Sequence, residues 1–314
     1  MQVWPRKRAK RQYARVRGWN EKEKGLLAFP AYKAGMTHVM ATDARKNSQT
    51  KGETIALPST ILDCPPIKLY SVRLYKEDAY GAKAVGEIVV GKDKHLFRKV
   101  FTKKTDEEKL KDVKPAEYSD IRVTIMTQPG KTGIGKKKPE IFEAAIGGTN
   151  EEKLAWINDH LNKEITIAEV FKEGEYADAH AITRGKGYQG PVKRFGIGLK
   201  PHKSEKGRRA PGSLGGWSAQ QHFLYRVAHA GQMGYHQRVQ YNNQIIKIGD
   251  NPEEVNPKGG FINFGTVRNQ YAIVKGSLQG PKKRLITLTK AVRLYDNQMT
   301  PTVETISIES KQGR

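Results

Sequence analysis

A single cysteine, Cys64, stands among 314 residues, which excludes an internal disulfide and any cysteine-based zinc cluster and fits a protein of a reducing compartment. It lies in "ILDCPPIKLY", at the entry to an apolar strand, where a small buried hydrophobe is expected rather than a nucleophile. Long apolar runs are missing as well: none approaches the roughly 18 residues of a spanning helix. No apolar core follows the basic start "MQVWPRKRAKRQYARVRG", so a signal peptide is not expected. The basic segments lack the Leu/Phe/Trp-rich opposite face that an interfacial helix would lay on an anionic membrane. Acids are scarce, 32 against 56 Lys and Arg, and the net charge is +24. A chain so charged repels itself unless a polyanion neutralises it, and nucleic acid is the leading candidate. Hydrophobic content of 37% is low for a compact enzyme of this length, so part of the chain is expected to fold on a partner.

Chemistry that would mark an enzyme fails on context. The stretch "TRGKGYQGPVKRFGIG" contains Gly185-x-Gly187-x-x-Gly190, the glycine pattern of a dinucleotide-binding loop. That loop needs a following helix to hold the pyrophosphate on its free N-H groups. Pro191, Gly196, Gly198 and Pro201 leave no room for an amphipathic run, so no helix is expected there. The acidic ribose partner is wanting too, since the nearest candidate is Glu205 in "KPHKSEKGRR". In "GKTGIGKK", Gly130, Gly135 and Lys136 fit P-loop spacing, but Lys137 occupies the position of the magnesium-binding hydroxyl and Pro139 interrupts the helix. A loop with four lysines is better suited to phosphodiester or solvent. His222, His229 and His236 recur every seven residues, but Gly231 and Gly234 break any shared helix, so polar contacts are expected rather than metal ligation. The acid pairs "DEEK" and "NEEK" have the form of solvated helix faces. No catalytic residue, metal, cofactor or small-molecule substrate is expected.

Uneven charge divides the chain. Met1 to Gly18 hold seven basic and no acidic residues, so residues 1–24 read as a basic arm that cannot bury a core. Residues 25–103 carry strand-like pieces, "LLAFPAYKAGMTHVMA", "IKLYSVRLY" and "AVGEIVVG", suggesting an antiparallel barrel or sandwich. Residues 104–178 hold 16 acids against 12 bases and read as an α/β insert. It contains the strand "IRVTIMTQ", the helix "TNEEKLAWINDHL" with Leu154, Ile157 and Leu161 on one face, and a second helix near "IAEVFKEG". Residues 179–240 form a basic, glycine-rich extension with its tip near residue 217. From Thr183 to Arg238 there are 11 Lys and Arg, 11 Gly, four His and one Glu. Residues 241–314 return to strand patterns, "GGFINFGTVRNQYAIVKGSL" as two strands around a turn and "KKRLITLTKAV" as a third, as if re-entering the first barrel.

An extended basic element rich in glycine suits RNA. Glycine lets the backbone approach a sugar-phosphate chain, Arg and Lys reach several phosphates, and planar side chains stack on unpaired bases. The candidate contacts are Arg6, Lys7, Arg8, Lys10 and Arg11 in the arm, and Lys33 on the first strand. In the extension they are Arg184, Lys186, Tyr188, Lys193, Arg194, Lys200, Lys203, Arg208, Arg209, Trp217, Arg226, His229, His236 and Arg238. Lys282, Lys283 and Arg284 complete them near the C-terminus. An RNA-processing or RNA-modifying enzyme with a basic groove is the alternative, and it would need carboxylates that this region supplies only through Glu205.

The motifs "AYKAGMTHV", "RGKGYQGPVKRFG", "GSLGGW", "GQMGYHQR" and "VRNQYAIVKGSLQGPKKRLITL" resemble, in order and over most of the chain, the large-subunit ribosomal protein L-three family in its archaeal and eukaryotic form. Residues from about Thr105 to Tyr176 carry no matching motif. The resemblance implies a mainly β protein: a six-stranded β-barrel of the translation-factor kind, an α/β insert, and long N-terminal and central extensions that bind rRNA. It implies a structural constituent of the cytoplasmic large ribosomal subunit that binds large-subunit rRNA early in assembly, beside neighbouring ribosomal proteins. Such a protein supports the architecture around the peptidyl transferase centre without contributing catalytic groups. In this family the extension ends in a tryptophan-bearing finger, which Trp217 matches, and the barrel and tail approach the factor-binding region. A histidine lies a dozen residues before that tryptophan in eukaryotic relatives; His202 precedes Trp217 by 15 and is not equated with it.

Overall fold

The computed structural model describes residues 4, 6–45, 47–91, 93–100, 105–216, 224, 226–293 and 301–310. Its strands are β1 (Gly25–Leu26), β2 (Ala28–Thr42), β3 (Thr54–Asp63), β4 (Lys68–Asp78), β5 (Gly81–Val89), β6 (Asp120–Met126) and β7 (Ile141–Gly147). They continue with β8 (Tyr176–Ile182), β9 (Tyr188–Gln189), β10 (Gly231–Gln232), β11 (Gln237–Gly249), β12 (Tyr271–Lys275), β13 (Leu285–Lys290) and β14 (Thr302–Ile306). The helices are α1 (Asn150–Asp159), α2 (Ile167–Val170) and α3 (Pro191–Phe195). The fold is mainly β, as the sequence leads one to expect.

The chain divides into two compact units, one of Met1–Gln12 with Ile182–Arg238 and one of Tyr13–Ala181 with Val239–Arg314. In the larger unit, β13, β8, β11, β12, β3 and β2 follow one another side by side, and β13 pairs back onto β2. Six strands therefore form a ring in which each has two neighbours. The long strand β2 makes this possible: on one edge it pairs with β3, and on the other with β13 at Ala28 to Tyr32 and with β14 at Val39 to Thr42. Its first eight residues are all buried, whereas Met36 and His38 are exposed and Thr37 and Val39 buried, the alternation of a strand covered on one face. A bulge between Lys33 and Gly35 separates the two regimes. Gly35 is required there, because a Cβ would lie 2.6 Å from the Phe261 ring. Tyr32, Phe29, Ile61, Leu62 and Tyr271 are among the largest fully buried side chains.

A second, five-stranded sheet in the same unit runs β1-β7-β6-β4-β5. This pairing differs from the division expected at residues 103 and 104, since β4 and β5 lie N-terminal to it yet share a sheet with β6 and β7. Hydrophobic pattern identifies a strand but not its partner, and the boundary drawn on charge alone missed the pairing. Helix α1 is capped as its sequence dictates: the Glu152 N-H donates to Thr149 and the Thr149 N-H to Glu152, and Ile157 is fully buried. Near "IAEVFKEG" the helix is one turn, α2. "GGFINFG" is no strand; it forms a turn closed by a single bridge between Phe261 and Gly265, and β12 is the one strand of the expected pair. Cys64 is fully buried, and burial pushes its thiol up.

Acids of this unit are largely spent internally. Arg122 pairs with Asp120 and Glu143, and Arg73 with Glu143 and Glu87, across β4, β5, β6 and β7. The P-loop lookalike is used the same way: Lys131 pairs with Glu164 at 2.7 Å and Lys136 with Glu140 at 2.5 Å.

Candidate nucleic-acid interface

The smaller unit carries sixteen Lys and Arg and a single acid, Glu205, so it holds fifteen of the 24 net positive charges in 69 residues. It contains little regular structure. Antiparallel β9 and β10 pair Gln189 with Gly231 and Tyr188 with Gln232, and the outgoing and returning strands of chain continue this contact through backbone bonds. Lys186 N-H donates to the Met233 carbonyl, Met233 N-H to Gly187, Tyr235 N-H to Arg184, and Thr183 N-H to His236. Gly234 is essential to this approach: its φ is +69°, and a Cβ would lie 2.0 Å from the Arg184 carbonyl oxygen.

A helix does follow the glycine pattern, contrary to the sequence expectation. Helix α3 spans five residues, opens at Gly190 with Pro191 in its first turn, and ends on Gly196 in the left-handed region at φ 69°. Pro191 belongs at a helix start, and Gly196 at a helix end, so these two residues mark one turn rather than forbid it. One turn is still far short of a dinucleotide fold.

The basic arm lies on this framework. Ala9 N-H donates to the Tyr235 carbonyl at 2.8 Å, and the Arg8 guanidinium lies over the Tyr235 ring at 5.6 Å. His236 is buried; its Nδ1 meets the Lys7 carbonyl at 2.9 Å, which makes Nδ1 the protonated nitrogen, and burial holds its pKa below the ordinary value. Arg194 joins three segments: its guanidinium donates to the carbonyls of His229 at 2.9 Å, Gln232 at 3.0 Å and Arg6 at 3.4 Å. Arg6 donates in return to the Arg194 carbonyl at 2.8 Å and stacks 4.0 Å above the Phe195 ring, which in turn meets Trp4 at 5.6 Å. Burial and the neighbouring Arg194 charge lower the Arg6 pKa, and burial and Arg6 lower that of Arg238. Three guanidinium groups and an imidazole thus converge where the unit offers no acid.

Of the expected contacts, Lys7, Arg8, Lys10, Arg11, Arg184, Lys186, Tyr188, Lys193, Lys203, Arg209 and Arg226 are exposed. Arg6, Arg194, Lys200, Arg208, His229 and Arg238 are half-buried. Lys200 and Arg208 close a loop through two mutual bonds, Lys200 N-H to the Arg208 carbonyl and Arg208 Nε to the Lys200 carbonyl, both 3.1 Å. Lys206 is exposed in that loop and is absent from the expected set, although its charge alone would have added it. Trp217 and His222, with Phe223 and Tyr225, lie outside the described residues. In the larger unit Lys282 and Lys283 are exposed and Arg284 is half-buried, but Lys33 is buried at 7% exposure. Among the described residues no group of three His, Cys, Asp or Glu could hold a metal, and no helix is long and apolar enough to cross a membrane.

A mainly β protein carrying a cationic unit with a single acid, with planar and guanidinium groups on glycine-supported backbone, belongs to the class of basic proteins that bind polyanions. Comparison with known sequences narrows the class. The family described as Ribosomal protein L3 matches residues 1–313, and the chain belongs to that family. It is similar to the large ribosomal subunit protein uL3 of Methanothermobacter thermautotrophicus, 46% identical over 98% of this chain and 95% of the relative. The uL3 proteins of Methanosphaera stadtmanae, at 45%, and Archaeoglobus fulgidus, at 44%, match over 98% and 99% of the chain. The chain is a structural ribosomal protein and not an enzyme, which removes the RNA-processing alternative.

Proposed function

We propose that the chain is a constituent of the large ribosomal subunit, located in the cytoplasm, where it binds large-subunit rRNA through the smaller unit and supports early assembly and the architecture around the peptidyl transferase centre. The observation that carries this reading is the imbalance of sixteen basic side chains against one acid within a unit that also exposes Tyr188, at 76%, with no apolar core to hold it. The six-stranded ring is read as the translation-factor-like barrel, the five-stranded sheet with α1 and α2 as the insert, and the arm and extension as the rRNA-binding parts. Within the expected contact set the exposed residues touch phosphate or base. Arg194 and His236 hold the shape that presents them. Trp217 is read as the tip of the extension. Neighbouring large-subunit proteins are its further partners.

Binding of the purified chain to deproteinised large-subunit rRNA over a salt series tests this. Each neutralised phosphate contributes about 0.7–0.9 to the slope of log affinity against log salt, so a steep fall is expected. Affinity independent of salt would refute the reading.

A further inference from the structure

Lys33 was expected at an RNA surface and is instead enclosed. All three of its polar groups hold one turn, residues 276–284. Its N-H donates to the Arg284 carbonyl at 3.1 Å, its carbonyl accepts from Lys283 N-H at 2.8 Å, and its ammonium donates to the carbonyls of Leu278 at 2.5 Å and Gly280 at 3.4 Å. Thr60 grips the same turn from β3: its hydroxyl donates to the Gly276 carbonyl at 2.7 Å and accepts from Leu278 N-H at 3.3 Å. The turn uses positive φ at three residues, which is free of strain at its two glycines and costly at one lysine. Gly276 and Gly280 have φ of 81° and 101°, and Lys283, a side-chain-bearing residue, has φ 68°.

The same turn carries cations, and the Lys282 ammonium donates to the Ile262 carbonyl at 2.8 Å. Lys282 and Lys283 are exposed there, Arg284 is half-buried beside them, and the stretch from Lys275 to Arg284 contains no acid. Among the described residues Lys33 has carbonyl partners and no carboxylate, and burial together with the nearby Lys282 charge lowers its pKa. A buried ammonium without a counter-charge is held at a cost, and an anion bound over the turn would relieve it.

We propose that Lys33 is a positioning residue: it presents Lys282 and Lys283 as a second phosphate-binding surface, on the larger unit, for an RNA sugar-phosphate backbone. The inference rests on the rRNA-binding reading above and assigns Lys33 a part in it without contact to RNA.

The test uses the full chain and deproteinised large-subunit rRNA, with affinity measured from about 50 to 200 mM salt. Replacing Lys282 and Lys283 together by Gln removes two phosphate contacts, so the variant loses about tenfold less affinity than the wild type across that fourfold salt range, from about 0.7–0.9 in slope per contact. Lys33→Met flattens the slope to the same extent, and adding it to the double variant changes nothing further. A wild-type slope in Lys33→Met beside a flattened double variant overturns the proposal, as does a further fall when the three changes are combined. Should Lys33→Met fail to fold, Thr60→Val loosens the same turn without touching charge: a flattened slope supports the proposal and a wild-type slope overturns it. If the wild type itself shows no salt dependence, the rRNA-binding reading fails; if the wild type is steep and only these variants are silent, the role of Lys33 alone fails.

Discussion

Replacing Arg194 by Ala should release the basic arm from the extension. The guanidinium makes bonds of 2.9 and 3.0 Å to the His229 and Gln232 carbonyls and a longer one to Arg6. Hydrogen bonds from a charged donor contribute about 1.5–3 kcal/mol each, but Arg194 is half-buried, so water replaces part of what is lost and we take about 2 kcal/mol for the change. That is a factor of about 30 in the ratio of docked to open arm. Arg194→Lys should recover little of it, because an ammonium cannot span carbonyls from separate segments as the planar fork does. The reporter is the Ala9 amide, bonded to the Tyr235 carbonyl, with the Met233 amide, bonded to Gly187, as a second. Hydrogen exchange of the free protein should show both losing protection by about that factor. Lys193→Ala is the control: exposed on the same helix, it should leave exchange untouched and flatten the salt dependence of rRNA binding. Unchanged protection in Arg194→Ala would refute the structural role of this residue and return it to the surface contacts.

Gly234→Ala should open the β9 and β10 region, since both the positive φ and the 2.0 Å approach to the Arg184 carbonyl forbid a Cβ; faster exchange at Tyr235 and Lys186 amides checks it. Burial holds the His236 pKa below the ordinary value in the folded form, so that form binds fewer protons than the unfolded one as pH falls. Arm docking should therefore be full above about pH 6.5 and weaken below it, read again at the Ala9 amide, and His236→Gln should remove the dependence. Asp63 has the opposite sign: it is fully buried, one carboxylate oxygen has no partner, and burial raises its pKa from 3.8 to about 6. The larger unit should thus lose roughly 3 kcal/mol as pH rises through that window. Asp63→Asn should melt several degrees above the wild type at pH 7.5 and match it at pH 4, and equal melting at both would refute the assignment.

Much of this was legible in the residues. Strands β2, β4, β6 and β13 follow from apolar period, and helix α1 from its apolar face of Leu154, Ile157 and Leu161 and its acidic first turn, with Thr149 or Asn150 as the cap to be decided. The charge boundary expected at residues 178 and 179 falls a few residues before Ile182, where the long segment of the smaller unit begins. What could not be read were pairings between distant segments. Nothing in residues 68–89 says that their partners lie at 120–147, because β pattern carries no address. Nor does a run of basic residues say which side chain faces carbonyls: Lys193 and Arg194 are adjacent, yet a five-residue helix turns one outward and the other onto three carbonyls of two other segments. Lys33 was misjudged for the same reason. A lysine in an apolar strand is indistinguishable by sequence from one at a surface until the turn that its ammonium holds is in place.

Closure of the ring by β13 on β2 also sets an order in time. Leu285 pairs with Tyr32 and Thr289 with Ala28, so the two strands that seal it are separated by some 250 residues of chain. Synthesis at about 5–20 residues per second delivers β2 many seconds before β13 exists. Through that interval one long edge of β2, with its row of N-H and C=O groups, has no native partner, and contacts of such separation form slowly even once the chain is complete. The nascent protein must therefore cross a stage at which it is both strongly cationic and open at a strand edge, when unwanted association competes with folding. Protection during that stage, by a chaperone or by early capture on rRNA, is a requirement that the topology itself imposes.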